Sequence, residues 1–173
     1  LKSTRGNIYD RNGEMVASNI LSYSLTFEDN GSYETTREKN LTLNGVAYRV
    51  LQILSENGDS LSGDFHIALD ENGNYAFDVG EGFTLSRFKA DIYGHPLIDD
   101  LTKEQASATA EDMMNYLTGS DGFSIVLYGE DAYAPEELEQ YGLPKELSKQ
   151  EILDIASMRY KLNTNSFQKY MAV

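Results

Sequence analysis

Hydrophobic and polar positions along this chain follow two periods, and the switches between them mark the expected elements. Asn7-Ile8-Tyr9 and Met15-Val16-Ala17 flank Asp10-Arg11-Asn12-Gly13-Glu14. An Asn-Gly pair between short apolar runs predicts a β-hairpin, with Asn12 and Gly13 both taking positive φ. Tyr23-Ser24-Leu25-Thr26-Phe27 alternates large apolar with small polar side chains, the pattern of a half-buried strand that Asn30-Gly31 ends. Over residues 42–56 the period changes: Leu43, Ala47, Val50, Leu51 and Leu54 share one helical face, and Asn57-Gly58 stops it.

The same two patterns recur further on. Phe65-His66-Ile67-Ala68-Leu69 and Tyr75-Ala76-Phe77-Asp78-Val79 bracket a second Asn-Gly turn and predict a second hairpin. Residues 83–93 read as a helix ending at Gly94. Thr102 with Gln105 has capping-box spacing, and Ala106, Ala110, Met113, Met114 and Leu117 then follow on one face, predicting one helix up to Gly119. Residues 123–128 read as a strand, and residues 129–147 as an acidic loop containing proline. Ser148 with Glu151 repeats the capping box ahead of Ile152, Ile155, Ala156, Arg159 and Tyr160, while residues 166–173 fit either type of element. Hairpins and helices without regular strand–helix alternation predict the α+β class.

Composition narrows the function classes. The 173 residues suit one domain or two small lobes, and 40% hydrophobic content supplies a core despite a net charge of −14. That charge disfavours nucleic acid and anionic membrane surfaces, which both need clustered Lys and Arg. With no cysteine there is no disulfide, thiolate nucleophile or cysteine-bound zinc. The longest apolar run, Ile125-Val126-Leu127-Tyr128, falls far short of the ~18 residues of a membrane helix. The chain begins at Leu1 rather than Met and is expected to be a fragment of something longer.

Candidate chemistry is sparse. Ser86-Arg87-Phe88-Lys89 and Ser166-Phe167-Gln168-Lys169 have the Ser-x-x-Lys spacing of serine acyl-transferases, but a Lys-Thr/Ser-Gly triad is missing. Asp70-Glu71-Asn72-Gly73-Asn74-Tyr75, with Glu81 in the place of a bidentate acid, resembles a calcium loop, although Tyr75 stands where the bend needs Gly. His66 and His95 lie apart without metal-ligand spacing, and Asp99-Asp100 and Glu136-Glu137 read as a solvated surface. No cofactor is expected.

Arg5-Gly6-x-Ile8-x-Asp10-Arg11-Asn12-Gly13-x-x-Val16-Ala17 closely resembles the first signature of class B penicillin-binding proteins. That signature reads Arg-Gly-x-Ile-x-Asp-Arg-Asn-Gly-x-x-Leu-Ala, so Val16 is the visible departure. "SYSLTFEDNG", "RFKADIYGH" and "EILDIASMRYKLNTNSFQKYMAV" further resemble the divergent clostridial, Firmicutes-type members. The family's later pedestal signatures find no counterpart before Val173, and neither does the catalytic domain.

The resemblance implies a non-catalytic N-terminal domain, called the dimerisation domain or pedestal, that follows a membrane anchor on the extracytoplasmic face of the bacterial cell membrane. It implies a pedestal portion of short strands and hairpins over residues 1–29 and 148–173, with an inserted head lobe of helices and hairpins over residues 30–147. It makes Arg5, Gly6, Ile8, Asp10, Arg11, Asn12, Gly13, Ala17 and Arg159 structural or interaction residues rather than catalytic ones. From the residues themselves, Asp10 can accept bonds from turn amides. Arg5 and Arg11 offer forked donors on a hairpin with charged arms, and it is the resemblance that implies a polar junction for them within the pedestal; a solvated hairpin with no further role is the plainer alternative. The parent would be a DD-transpeptidase cross-linking peptidoglycan in division or elongation. Implied partners are its own transpeptidase domain, a SEDS-type glycosyltransferase, other division or elongation proteins and a second copy of itself. The rival reading is a secreted or surface α+β domain that binds calcium or a small ligand through the Asp70–Glu81 loop.

Overall fold

The computed structural model describes residues 6–18, 24–61, 63–165 and 167–171. Its described elements run β1 (Ile8–Tyr9), β2 (Met15–Ala17), β3 (Ser24–Glu28), α1 (Thr36–Glu56), β4 (Ile67–Leu69), β5 (Tyr75–Phe77), α2 (Phe83–Ile92), α3 (Lys103–Ser107), α4 (Ala110–Thr118), α5 (Pro135–Gln140), α6 (Lys149–Asn165) and β6 (Phe167–Met171). The strands form three antiparallel pairs: β1 with β2, β4 with β5, and β3 with β6. The class is α+β, as the sequence pattern predicts.

Helix α6 lies at the centre. Leu153, Ile155, Ala156, Met158, Tyr160 and Leu162 are all buried, so the helix is covered on more than one side. Its neighbours are α1, α4 and the second hairpin. Leu43 and Ala47 come from α1, Met113, Met114 and Leu117 from α4, and Leu85, Phe88 and Ile92 from α2, all in one core. Phe65, Phe88 and Tyr160 meet edge to face with ring centroids 5.5–5.7 Å apart, a geometry aromatic quadrupoles favour. Phe27 of β3 joins the same core. Strands β3 and β6 pair from Ser24 opposite Met171 to Glu28 opposite Phe167.

Several expected elements differ in detail. Helix α1 starts six residues before the expected start at residue 42, because Thr35 Oγ1 caps it by accepting from the Glu38 amide at 3.0 Å. The single helix expected after Thr102 is two. Thr102 and Gln105 cap α3 reciprocally, but Thr109 and Asp112 form a second capping box, and Ala108 between them is extended (φ −56°, ψ 134°).

Residues 123–128 are not a strand. The Phe123 amide donates to the Leu117 carbonyl, the Ser124 amide to Gly119, and the Ile125 and Val126 amides to Thr118. These amides satisfy the carbonyl end of α4, so no partner strand is needed. The expected loop after residue 129 contains α5, which begins with Pro135 at the first helical positions. The ambiguous C-terminal stretch supplies β6, while Tyr23 and Ser166 lie outside the described residues.

Gly45, in mid-α1, is required by close packing. A Cβ there would stand 2.0 Å from the Tyr141 carbonyl oxygen at the end of α5. Gly→Ala inside an open helix stabilises by about 1 kcal/mol. Gly45→Ala is expected to do the opposite and lower the unfolding free energy by about 1–3 kcal/mol, measured by urea denaturation.

Candidate functional site

The opening signature forms an exposed hairpin. Asp10 Oδ1 accepts from the amides of Asn12 and Glu14, both at 2.8 Å, and the Asp10 amide donates to the Glu14 carbonyl at 2.8 Å. These turn amides hold the Asp10 carboxyl below the usual aspartate range. Only Gly13 takes positive φ (84°), and Asn12 does not. The expected two-residue turn is therefore a longer one, a type I turn followed by a glycine bulge, because Asp10 can reach both amides only across that loop. Gly6, Ile8, Arg11, Asn12 and Ala17 are exposed. Ile8 (61%), Tyr9 (56%), Met15 (57%) and Val16 (67%) present an open apolar surface. Arg11 makes no hydrogen bond to another described residue, and Arg5 lies outside the described residues.

Arg159 is far from that environment. It is buried on α6, with its Nη1 donating to Asn44 Oδ1 and its Nη2 donating to Asn40 Oδ1 at 2.9 Å. Its guanidinium stands over the Phe123 ring, 4.8 Å from the centroid. Burial pushes the Arg159 pKa down to about 10, against the opposing pull of Asp29, so the group stays charged at neutral pH.

The two asparagines pass the network on. Asn40 Nδ2 donates to Ser124 Oγ at 3.1 Å, and Asn44 Nδ2 donates to the Phe123 carbonyl at 3.0 Å. Tyr133 donates its hydroxyl hydrogen to the Ser124 carbonyl at 2.8 Å. Ser124 is buried with φ 49°, a conformation that costs a non-glycine residue energy and that these bonds hold in place.

Two flanking clamps complete the arrangement. Arg37 grips both Glu137 carboxylate oxygens at 2.7 Å and lies 4.4 Å from the Tyr133 ring centroid. Asp29 accepts from Lys39 Nζ at 2.7 Å and from the Tyr33 hydroxyl at 2.9 Å, and Lys39 first of all holds its carboxyl below the usual range. The whole arrangement fixes α1, α6 and the 123–133 segment together, which is structural work. Sequence reasoning placed Arg159 on the α6 face but missed Asn40 and Asn44. Their four-residue spacing around the buried Leu41 is the one trace they leave in the sequence.

The catalytic and metal candidates do not assemble. Ser86 Oγ donates to the Gly82 carbonyl at 3.0 Å, while Lys89 Nζ donates to the Ala106 carbonyl at 2.7 Å, so the two make no dyad. Ser166 lies outside the described residues. Asp70 Oδ1 accepts from the Asn72 and Asn74 amides at 2.8 Å, repeating the Asp10 turn. One of its carboxylate oxygens is thus engaged by the turn itself. Among the described residues, no group of three or more His or acidic side chains gathers to hold a metal ion. His66 Nδ1 pairs with Asp78 at 3.1 Å and His95 Nε2 with Gln105 at 2.9 Å.

Comparison with known proteins gives one match. The family model of the penicillin-binding protein dimerisation domain matches residues 1–170. No curated protein and no solved structure matches the chain.

Arg159→Ala leaves two buried amide oxygens without a donor and is expected to cost about 3–5 kcal/mol of stability. In a double-mutant cycle with Asn44→Ala, the coupling should be about 1–3 kcal/mol, whereas additive losses would show that the pair does not act as a unit. Asp10→Ala should speed amide hydrogen exchange at Asn12 and Glu14 and leave the core amides of α6 unchanged.

Proposed function

This chain belongs to the penicillin-binding protein dimerisation domain family, and from that premise we propose that it is the extracytoplasmic pedestal of a peptidoglycan DD-transpeptidase. The domain is non-catalytic. Its role is to hold the transpeptidase domain of the parent chain at a set distance from the membrane and to offer surfaces to other proteins. The observation that carries this reading is the match over residues 1–170, which begins with the Arg5–Ala17 signature.

Two structural features support it. The signature hairpin exposes Ile8, Tyr9, Met15 and Val16, an apolar surface of the kind that seats against another protein segment. Strands β3 and β6 bring the beginning and the end of the chain side by side, as a lobe inserted between two pedestal segments requires. In this reading residues 1–29 and 148–173 belong to the pedestal and residues 30–147 to the head, and α6 joins residues of both in one core. The proposed partners are the parent's own transpeptidase domain, a SEDS-type glycosyltransferase and other proteins of division or elongation. A second copy of the chain is a further proposed partner, and the site of action is the outer face of the cell membrane.

The test is labelling with a fluorescent penicillin. Residues 1–173 alone should stay unlabelled, while the protein expressed from the full reading frame should take up one label. Labelling of residues 1–173, or a full-length protein without a penicillin-reactive serine, would overturn the proposal.

A further inference from the structure

Lys89 is an unusual lysine: it is 7% exposed, yet no carboxylate lies within ion-pair distance of it among the described residues. An ammonium group has three donors. One is used by the Ala106 carbonyl at 2.7 Å, and the face of the Phe77 ring lies 5.2 Å from Nζ. Burial lowers the Lys89 pKa, with Glu81 opposing that shift from a distance. An ammonium held this way keeps its charge more readily when an anion stands beside it, so a group that brings a negative charge to this amine is favoured.

There is room for one. Lys89 lines an open groove of about 900 Å³ between β5, the start of α2 and the α3–α4 junction. Phe77, Val79, Leu85 and Ala108 give it an apolar wall. Helix side chains lean toward the N-terminus, which carries the Lys89 stem back toward the first turn of α2. Gly82 caps that turn without a side-chain acceptor, and it lines the groove as well. Glu81 also lines the groove, and its charge discriminates against a dianion such as phosphate.

We propose that this groove binds a monoanionic carboxylate bearing a short apolar tail, with the Lys89 ammonium as its counter-ion and the Phe77–Leu85 wall against its tail. The site is independent of the pedestal role and of the signature hairpin.

The probe is sodium pentanoate, titrated into the 173-residue chain and followed by amide chemical shifts. Saturable shifts confined to the start of α2 and to residues 106–110 are expected, with a Kd on the order of millimolar for so small a ligand. Pentanol and inorganic phosphate should each bind at least tenfold more weakly. Glu81→Gln, an exposed change, should tighten pentanoate binding, and Lys89→Met should abolish it. Absence of saturable shifts, pentanol binding equal to pentanoate, or weaker binding by Glu81→Gln would each overturn the proposal. The pentanol and Glu81 comparisons do so even if Lys89→Met fails to fold.

Discussion

A guanidinium buried in the middle of α6 sets the terms for much of this fold. A charge taken out of water must be surrounded by hydrogen-bond acceptors, and Arg159 finds them in the Asn40 and Asn44 side-chain oxygens of α1. Asparagine is a weak helix former and is seldom buried in a helix interior. Here two are tolerated because each amide bridges the arginine to the 123–124 segment. The left-handed Ser124 and the close approach of Gly45 to Tyr141 belong to the same accommodation: α1 meets the 123–124 segment through its two asparagines and meets Tyr141 where it carries no side chain.

The charge is matched by amides instead of by a carboxylate in direct contact. Asp29 contributes from farther away, and its own bonds go to Lys39 and Tyr33. An amide partner neutralises no charge, yet its oxygen and nitrogen together relay orientation from one element to the next. The network is accordingly a device of geometry. It holds α1 and the 123–124 segment in register with α6, the helix that precedes β6 and its ribbon with β3.

The two hairpins show how the same local chemistry serves different ends. Asp10-Arg-Asn-Gly-Glu and Asp70-Glu-Asn-Gly-Asn fold into the same turn, with the aspartate carboxylate accepting from two amides and only the glycine left-handed. The second hairpin sends Ile67 into the core, and Lys149 of α6 donates to its Gly73 carbonyl at 3.3 Å. The first turns Ile8, Tyr9, Met15 and Val16 to solvent. A turn specifies where the chain reverses; what its strands rest on is set elsewhere in the fold.

Local chemistry therefore determined the existence and type of most elements. Apolar periodicity marked α1, α2 and α6, Asn-Gly marked both hairpins, and Thr102 and Ser148 marked two helix starts through side chains that reach only three residues along the chain. The signature from Arg5 to Ala17 was legible for the same reason, since its residues follow one another. What the tertiary structure alone decided are the matters of long-range partnership. Residues 123–128 looked like a strand by composition, but the free carbonyls at the end of α4 took their amides. Asn40 and Asn44 each lie more than a hundred residues from Arg159 across the α1–α6 contact, and no local pattern relates them to it. The C-terminal stretch became β6 because β3 offered a partner edge. Periodicity records which side of an element is apolar; only packing records which buried polar groups must find one another, because the cost of leaving them unpaired arises when water is gone.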